Sequence, residues 1–304
     1  QEHGVGRHVF GNADAGAFAA DPHGAIAYDR HAALMLMDQQ GLVPHGAVGG
    51  RHLRETPDRP SGTATDYPAL AAALAAVPDR SVALAELGDL ARLYAERGRF
   101  AEERFQALRR DILREMDAFI GEVRGMLRRQ DRLIVFSPGI NEDAAARRYY
   151  LAPILIHQPG MGEALIHSAT TRQPGIVAMT DLAPFILDCY GIGAPAEMIG
   201  RVPAFIPQDR AADRLFREVG RIADVYRLRL DLLYPFVTYQ VIVLLAALLT
   251  AGLGWKPGGR VIRTALLSIP AAPAVMVVLG YVSGPVWALA LLFLAAWGLA
   301  TWGL

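Results

Sequence analysis

Phe236 to Trp255 reads FVTYQVIVLLAALLTAGLGW, twenty consecutive residues without a charge. In a helix rising about 1.5 Å per residue, this stretch covers about 30 Å, the thickness of a bilayer's hydrocarbon core. Two further uncharged runs follow, Thr264 to Val282 and Pro285 to Leu304. Tyr234, Tyr239, Trp255, Tyr281, Trp287 and Trp302 stand near the ends of the three runs, where amphipathic rings favour a membrane interface. Pro270 and Pro273 fall inside the second run, which a membrane helix tolerates with a kink. The expectation is a membrane region of about three helices over 234–304, in contact with a lipid bilayer. A buried helical hairpin in a soluble protein is the alternative.

Upstream of Leu233 the composition changes. The chain has 304 residues, 30 basic and 30 acidic, with 53% hydrophobic residues and a mean hydropathy of +0.24. The last 71 residues hold only Lys256, Arg260 and Arg263 as charged groups, leaving 27 basic against 30 acidic residues in 1–233, a net of −3. The high hydrophobic content excludes a disordered chain, and one cysteine, Cys189, excludes a disulfide scaffold. The balanced charge argues against a nucleic-acid partner. Lys256 to Arg263 joins the first two apolar runs and carries three cations and no anion. The positive-inside rule therefore puts that loop in the cytoplasm and the 1–233 body outside the cell membrane. The chain starts at Gln1 and stops inside an apolar run, so the reading expects a fragment whose export signal and further spans lie elsewhere.

The body reads as an α/β domain. Val5 to Phe10 is a strand entering a Gly11-Asn12-Ala13-Asp14 turn, and Ser81 to Leu87 is a buried-type strand. His31 to Met37 is apolar and ambiguous. Asp66 to Val77 is an alanine-rich helix stopped by Pro78. Phe100 to Arg129 is the clearest helix, with Phe100, Phe105, Leu108, Ile112, Met116, Ile120, Val123 and Leu127 forming a core stripe. Leu133 to Phe136 and Leu151 to His157 are strands, and Thr180 caps a helix through Asp188 with Gly191 just past its end. This alternation predicts a mostly parallel sheet covered by helices on both faces.

Ligands of open α/β sheets sit at the carboxyl ends of the strands, which singles out a few polar groups. Asn12 and Asp14 follow the first strand, where a plain Asx-turn is the simpler reading. Glu86 and Asp89 follow the second, where capping competes with ligand binding. Ser137 opens Ser137-Pro138-Gly139-Ile140-Asn141-Glu142-Asp143, a turn or a polar site edge. Thr170, Thr171 and Arg172 group two hydroxyls with a guanidinium that suits an anion, against simple loop capping. His3, His8, His23, His31, His45 and His52 crowd the first 52 residues without the spacing of a helical metal site and read as surface residues. Cys189 reads as buried and inert.

Thr180 to Val202, TDLAPFILDCYGIGAPAEMIGRV, resembles the C-terminal segment of the alkaline-phosphatase superfamily, especially cofactor-independent phosphoglycerate mutases. The matching features are Asp181-Leu182-Ala183-Pro184 before a helix, then Gly191-Ile192, then Pro195-Xaa-Glu197-Met198-Xaa-Gly200. The resemblance extends well over Val82 to Val202 and loosely over Val5 to Val82. It implies a two-metal site, filled by Zn, Mn or Mg in active members, that activates a Ser or Thr nucleophile for phosphoryl or sulfuryl transfer. Carried over by residue, Asp89 falls on the Asp of the family's Asp-Xaa-Xaa-Gly-His ligand motif, but no His follows at Leu93. Ser137-Pro138-Gly139 replaces the family's Asp-His-Gly, and Arg147 to Ala152 lacks the later ligand His. His167 is available but lies well downstream, and the nucleophile segment would precede Gln1.

The combined expectation is a membrane-anchored, extracytoplasmic alkaline-phosphatase-like domain with a degraded metal site, acting as a binding or scaffolding module. A phosphate or sulfate ester hydrolase or transferase with an altered site is the rival reading. A third is a subunit of a transporter or lipid-handling complex, with the body as a lid over membrane helices.

Overall fold

A computed structural model describes residues 3–14, 29–253, 259–279 and 286–303. Two compact units emerge. The first comprises 1–136, 154–162 and 166–205, and the second 137–153, 163–165 and 206–304.

In the first unit, strand β1 (Gly6–Asn12) lies between β2 (His45–Ala47) and β5 (Ser81–Leu87), all three parallel. Helix α1 (His31–Leu36) lies on the connection from β1 to β2 and settles the ambiguous segment as helix. Gly46 is obligatory in β2: its φ is +125°, and a Cβ there would stand 1.9 Å from the Val9 carbonyl oxygen of β1. Between β2 and β5 come the antiparallel pair β3 (Leu53–Glu55) and β4 (Thr63–Thr65), then α2 (Tyr67–Ala75). Asp66 caps α2 by accepting the Ala69 N–H at 3.1 Å.

Helix α3 (Asp89–Ala95) starts directly after β5, and α4 (Glu102–Met126) follows. Glu102 and Glu103 in its first turn and Arg124 in its last complement the helix dipole. Its buried positions, Phe105, Leu108, Ile112 and Phe119, recur at helical spacing. Phe105, Leu108 and Ile112 pack with Leu93 of α3, and Phe119 joins Phe10, Tyr67, Leu70 and Ala71.

The sheet is less parallel than the sequence predicts. β6 (Leu133–Phe136) and β7 (Ile154–His157) pair antiparallel, with Leu133 opposite His157. The connection between them contains the five-residue helix α5 (Glu142–Ala146). β8 (Ala164–His167) pairs with β9 (Ala204–Pro207), flanking α6 (Leu182–Cys189). Gly191 adopts φ +69° just past α6, as its sequence position predicts. Thr180 is not the cap; it sits inside a 3-10 turn, Met179–Asp181. Cys189 is exposed, because it lies in the last turn of α6, where burial has already ended at Asp188.

In the second unit, α7 (Ala211–Leu253) runs unbroken for 43 residues, about 65 Å, with Pro235 inside it. Glu163 Oε2 accepts the Ala211 N–H at its start. α8 (Gly259–Leu279) and α9 (Val286–Gly303) pack on it through Phe236, Ala272, Val275 and Phe293. Tyr239 Oη lies 2.8 Å from Ser268 Oγ, and Trp297 Nε1 donates to the Ser268 carbonyl at 2.7 Å. Leu233–Leu253 is long and apolar enough to cross a membrane; the apolar stretches of the other two helices, Val261–Val277 and Ala290–Leu299, are shorter. The cationic loop is shorter than expected, since α8 begins at Gly259 and takes in Arg260 and Arg263. Trp255, Lys256, Tyr281, Val282 and Pro285 lie outside the described residues.

Phe105 is fully buried against Leu93 and Tyr94 and beneath the Arg97 guanidinium. Phe105→Ala should lower the unfolding free energy by about 3–5 kcal/mol in urea denaturation, whereas exposed Leu113→Ala should change it by well under 1 kcal/mol.

Candidate functional site

Because β1, β2 and β5 are parallel, their carboxyl ends share one edge, which gathers Asn12, Asp14, Glu86 and Asp89. Each group was singled out by sequence. The structure shows what each is bound to.

Asp89 is 4% exposed, and both carboxylate oxygens accept hydrogen bonds. Oδ1 accepts the Thr65 N–H at 2.9 Å and the Arg92 Nη2 proton at 2.7 Å, and Oδ2 accepts the Tyr67 hydroxyl at 2.7 Å. Burial by itself would raise this carboxyl's pKa. The Arg92 guanidinium, the Tyr67 hydroxyl and the Thr65 N–H outweigh it and hold the group below the usual carboxylate range. Tyr67 responds oppositely: burial and the Asp89 charge push its phenol far above the ordinary range. Arg92, 1% exposed, reaches further, to the Thr65 hydroxyl at 3.0 Å and the Asn12 carbonyl at 3.2 Å.

Asn12 is 1% exposed, is the last residue of β1 and opens an Asx-turn. Its Nδ2 donates to the Val48 and Gly49 carbonyls at 2.9 and 3.0 Å, and its Oδ1 accepts the Asp14 N–H, the Asx-turn bond. Asp14 accepts the Asp29 N–H at 2.8 Å and a forked contact from Arg30. Ala15 and Gly16, which follow that turn, lie outside the described residues, as does His23. Glu86 differs from these groups. Its Oε2 is buried with no hydrogen-bond partner among the described residues. Burial raises its pKa, the Ala32 N–H opposes that, and the Asp29 and Asp14 charges add to the rise.

The remaining polar groups do not join this edge. Ser137 Oγ donates to the Gly139 carbonyl at 2.6 Å, and Asn141 caps α5 by accepting the Ala144 N–H, so this segment is a turn and a capped helix. Thr170 does hold an anion, but it is the chain's own. Thr170 Oγ1 donates to Asp181 Oδ1 at 2.7 Å, and Thr171 Oγ1 to the Ile176 carbonyl at 2.6 Å. Asp181, 1% exposed, also accepts the Arg201 N–H at 2.8 Å and the Ala178 N–H at 3.0 Å. Arg172 is exposed at φ +57°. Gly200 permits this closure, since a Cβ there would lie 2.0 Å from the Thr180 carbonyl oxygen.

The histidines correct the expectation of a surface cluster. His3, His31 and His45 are exposed, but His8 is half-buried and His52 is 4% exposed. The sequence places them in loops and a strand without fixing which face they take, and β1 turns His8 toward Phe10. Among the described residues, no three His, Cys, Asp or Glu side chains gather as a metal ion would need. The partners that define the Asp89 centre, Thr65, Tyr67 and Arg92, were not legible individually, although Asp89-Xaa-Xaa-Arg92 has the i, i+3 spacing of a helical ion pair.

Compared with protein-family models, curated proteins and solved structures, the chain matches none of them.

Removing one partner of a buried ion pair costs more than removing both. Arg92→Met should therefore lower stability by about 3–5 kcal/mol, while Arg92→Met with Asp89→Leu should recover part of that loss in a double-mutant cycle. Because the folded carboxyl is held low, the Asp89 contribution is intact above its ordinary value of 3.8. It should fade only as pH falls below that value, a loss that unfolding measurements at pH 3 to 7 would follow and Asp89→Asn would remove.

Proposed function

We propose that this chain is a membrane-anchored module whose α/β body faces the extracytoplasmic side and serves binding or scaffolding rather than two-metal catalysis. The observation that carries the reading is the Asp89 centre. The resemblance of Thr180 to Val202 to the alkaline-phosphatase superfamily puts a metal ligand at Asp89, and an arginine stands beside it instead. Thr65, Tyr67 and Arg92 already take three of the carboxylate's acceptor sites, and the buried guanidinium supplies the positive charge a metal would bring. The donor set does not fit Zn, Mn or Mg. The second carboxylate of the region, Asp181, is likewise consumed by its own loop.

Anchoring is supported by Leu233–Leu253, with mean hydropathy 2.1 and only 11% of its most apolar stretch buried in the protein, unlike the core helix of a soluble hairpin. Lys256, Arg260 and Arg263 beyond it favour a cytoplasmic loop and an external body. Glu86 gives the rival ester hydrolase its best argument: a half-buried carboxyl with a raised pKa at a strand end, the setting of a proton donor.

Two measurements test the reading. Exposed Cys189, the chain's single cysteine, should react with a membrane-impermeant maleimide on intact cells; protection until lysis would place the body inside. Aryl phosphate and aryl sulfate should not be turned over with Zn²⁺, Mn²⁺ or Mg²⁺ present. Turnover abolished by Glu86→Gln or Asp89→Ala would establish the enzyme instead.

A further inference from the structure

Three rings line one face of β1 and β2, and a fourth, His52, meets them from the turn after β2. His45 stacks on His8 with centroids 4.9 Å apart, His8 stacks on Phe10 at 6.2 Å, and Phe10 meets His52 edge-on at 5.8 Å. The register explains the line. His8 pairs directly with His45 across the strands, and His8 and Phe10 are two apart on β1, so all three side chains share a face. At the far end, neither ring nitrogen of buried His52 has a hydrogen-bond partner among the described residues. Phe10 itself belongs to the core with Tyr67, Leu70, Ala71 and Phe119.

Few other interactions hold the segment from His45 to His52. Its strand pairs with β1 over three residues, Asn12 Nδ2 binds the Val48 and Gly49 carbonyls, and the His52 carbonyl accepts the Asp66 N–H at 2.8 Å. The imidazoles add their ring contacts to these bonds.

We propose that this imidazole ladder makes residues 45–52 an acid-released flap: protonation puts charge between stacked rings and onto an unpaired buried ring, and the segment lifts from β1. The charges around the ladder favour this response. His8 faces His45 as its charged neighbour, a like charge once both are protonated. His52 feels the repulsion of Arg51, opposed by Asp66 from the start of α2. For both His8 and His52, burial first, then the neighbouring cation, holds the pKa below the ordinary 6.5. The sign follows directly. The fold prefers neutral rings, so their stabilisation is complete above pH 6.5 and is withdrawn as pH drops below that value. Release would free the Asn12 amide from Val48 and Gly49 and open the carboxyl end of β1.

Hydrogen exchange of the full chain in nanodiscs, corrected for intrinsic rates, tests this. Between pH 7.5 and 5, protection of amides 45–52 should fall by about tenfold while amides 81–87 of β5 stay protected. His52→Phe with His45→Asn should flatten that pH dependence. Protection that stays level with pH in the wild-type chain overturns the proposal, and so does a fall of the same size in the variant or in β5 alike.

Discussion

The geometry of the first unit depends on a single buried carboxylate, Asp89. It sits where β5 gives way to α3, and its oxygens draw in the Thr65 backbone, the Tyr67 hydroxyl and the Arg92 guanidinium. Arg92 then ties the centre to the Asn12 carbonyl at the end of β1. One ion pair thus joins β1, β4, α2 and α3. A buried pair of this kind adds little net stability against an apolar replacement, but it tolerates no missing partner. Its value here is to fix which elements meet at the edge of the sheet where α/β proteins place ligands.

Asp181 repeats the pattern on a smaller scale. Loop hydroxyls and backbone N–H groups converge on its carboxylate and close the segment from Ser168 to Arg201. Groups that in isolation suggest anion binding, Thr170 and Thr171, are spent internally. Satisfied polar groups build rigid architecture. Glu86 and His52 are among the buried groups left without a partner among the described residues, and there proton uptake can act.

How much of this was legible follows from the range of each interaction. The α4 helix and the strand at Ser81 to Leu87 stand where predicted because periodicity is local, although buried Phe119 lies outside the predicted stripe and no residue of that strand is fully buried. The membrane-length segment after Leu233 was equally plain, since composition alone marks it. The Asp89 centre was legible only as a polar strand end. Tyr67 and Thr65 lie 22 and 24 residues upstream, and no pattern in one sequence pairs them. The antiparallel turn of β6 onto β7 was missed because both strands are short, continuous apolar runs that fit either direction. Cys189 was misjudged for a similar reason: apolar neighbours in sequence imply burial only while the helix has something packed over it.

The central claim is that an arginine, not a metal ion, neutralises Asp89. Equilibrium Mn²⁺ binding to the full chain, followed by electron paramagnetic resonance with and without Asp89→Asn, tests it most directly. The account predicts no saturable Mn²⁺ site that depends on Asp89. Stoichiometric Mn²⁺ binding lost in Asp89→Asn would contradict it.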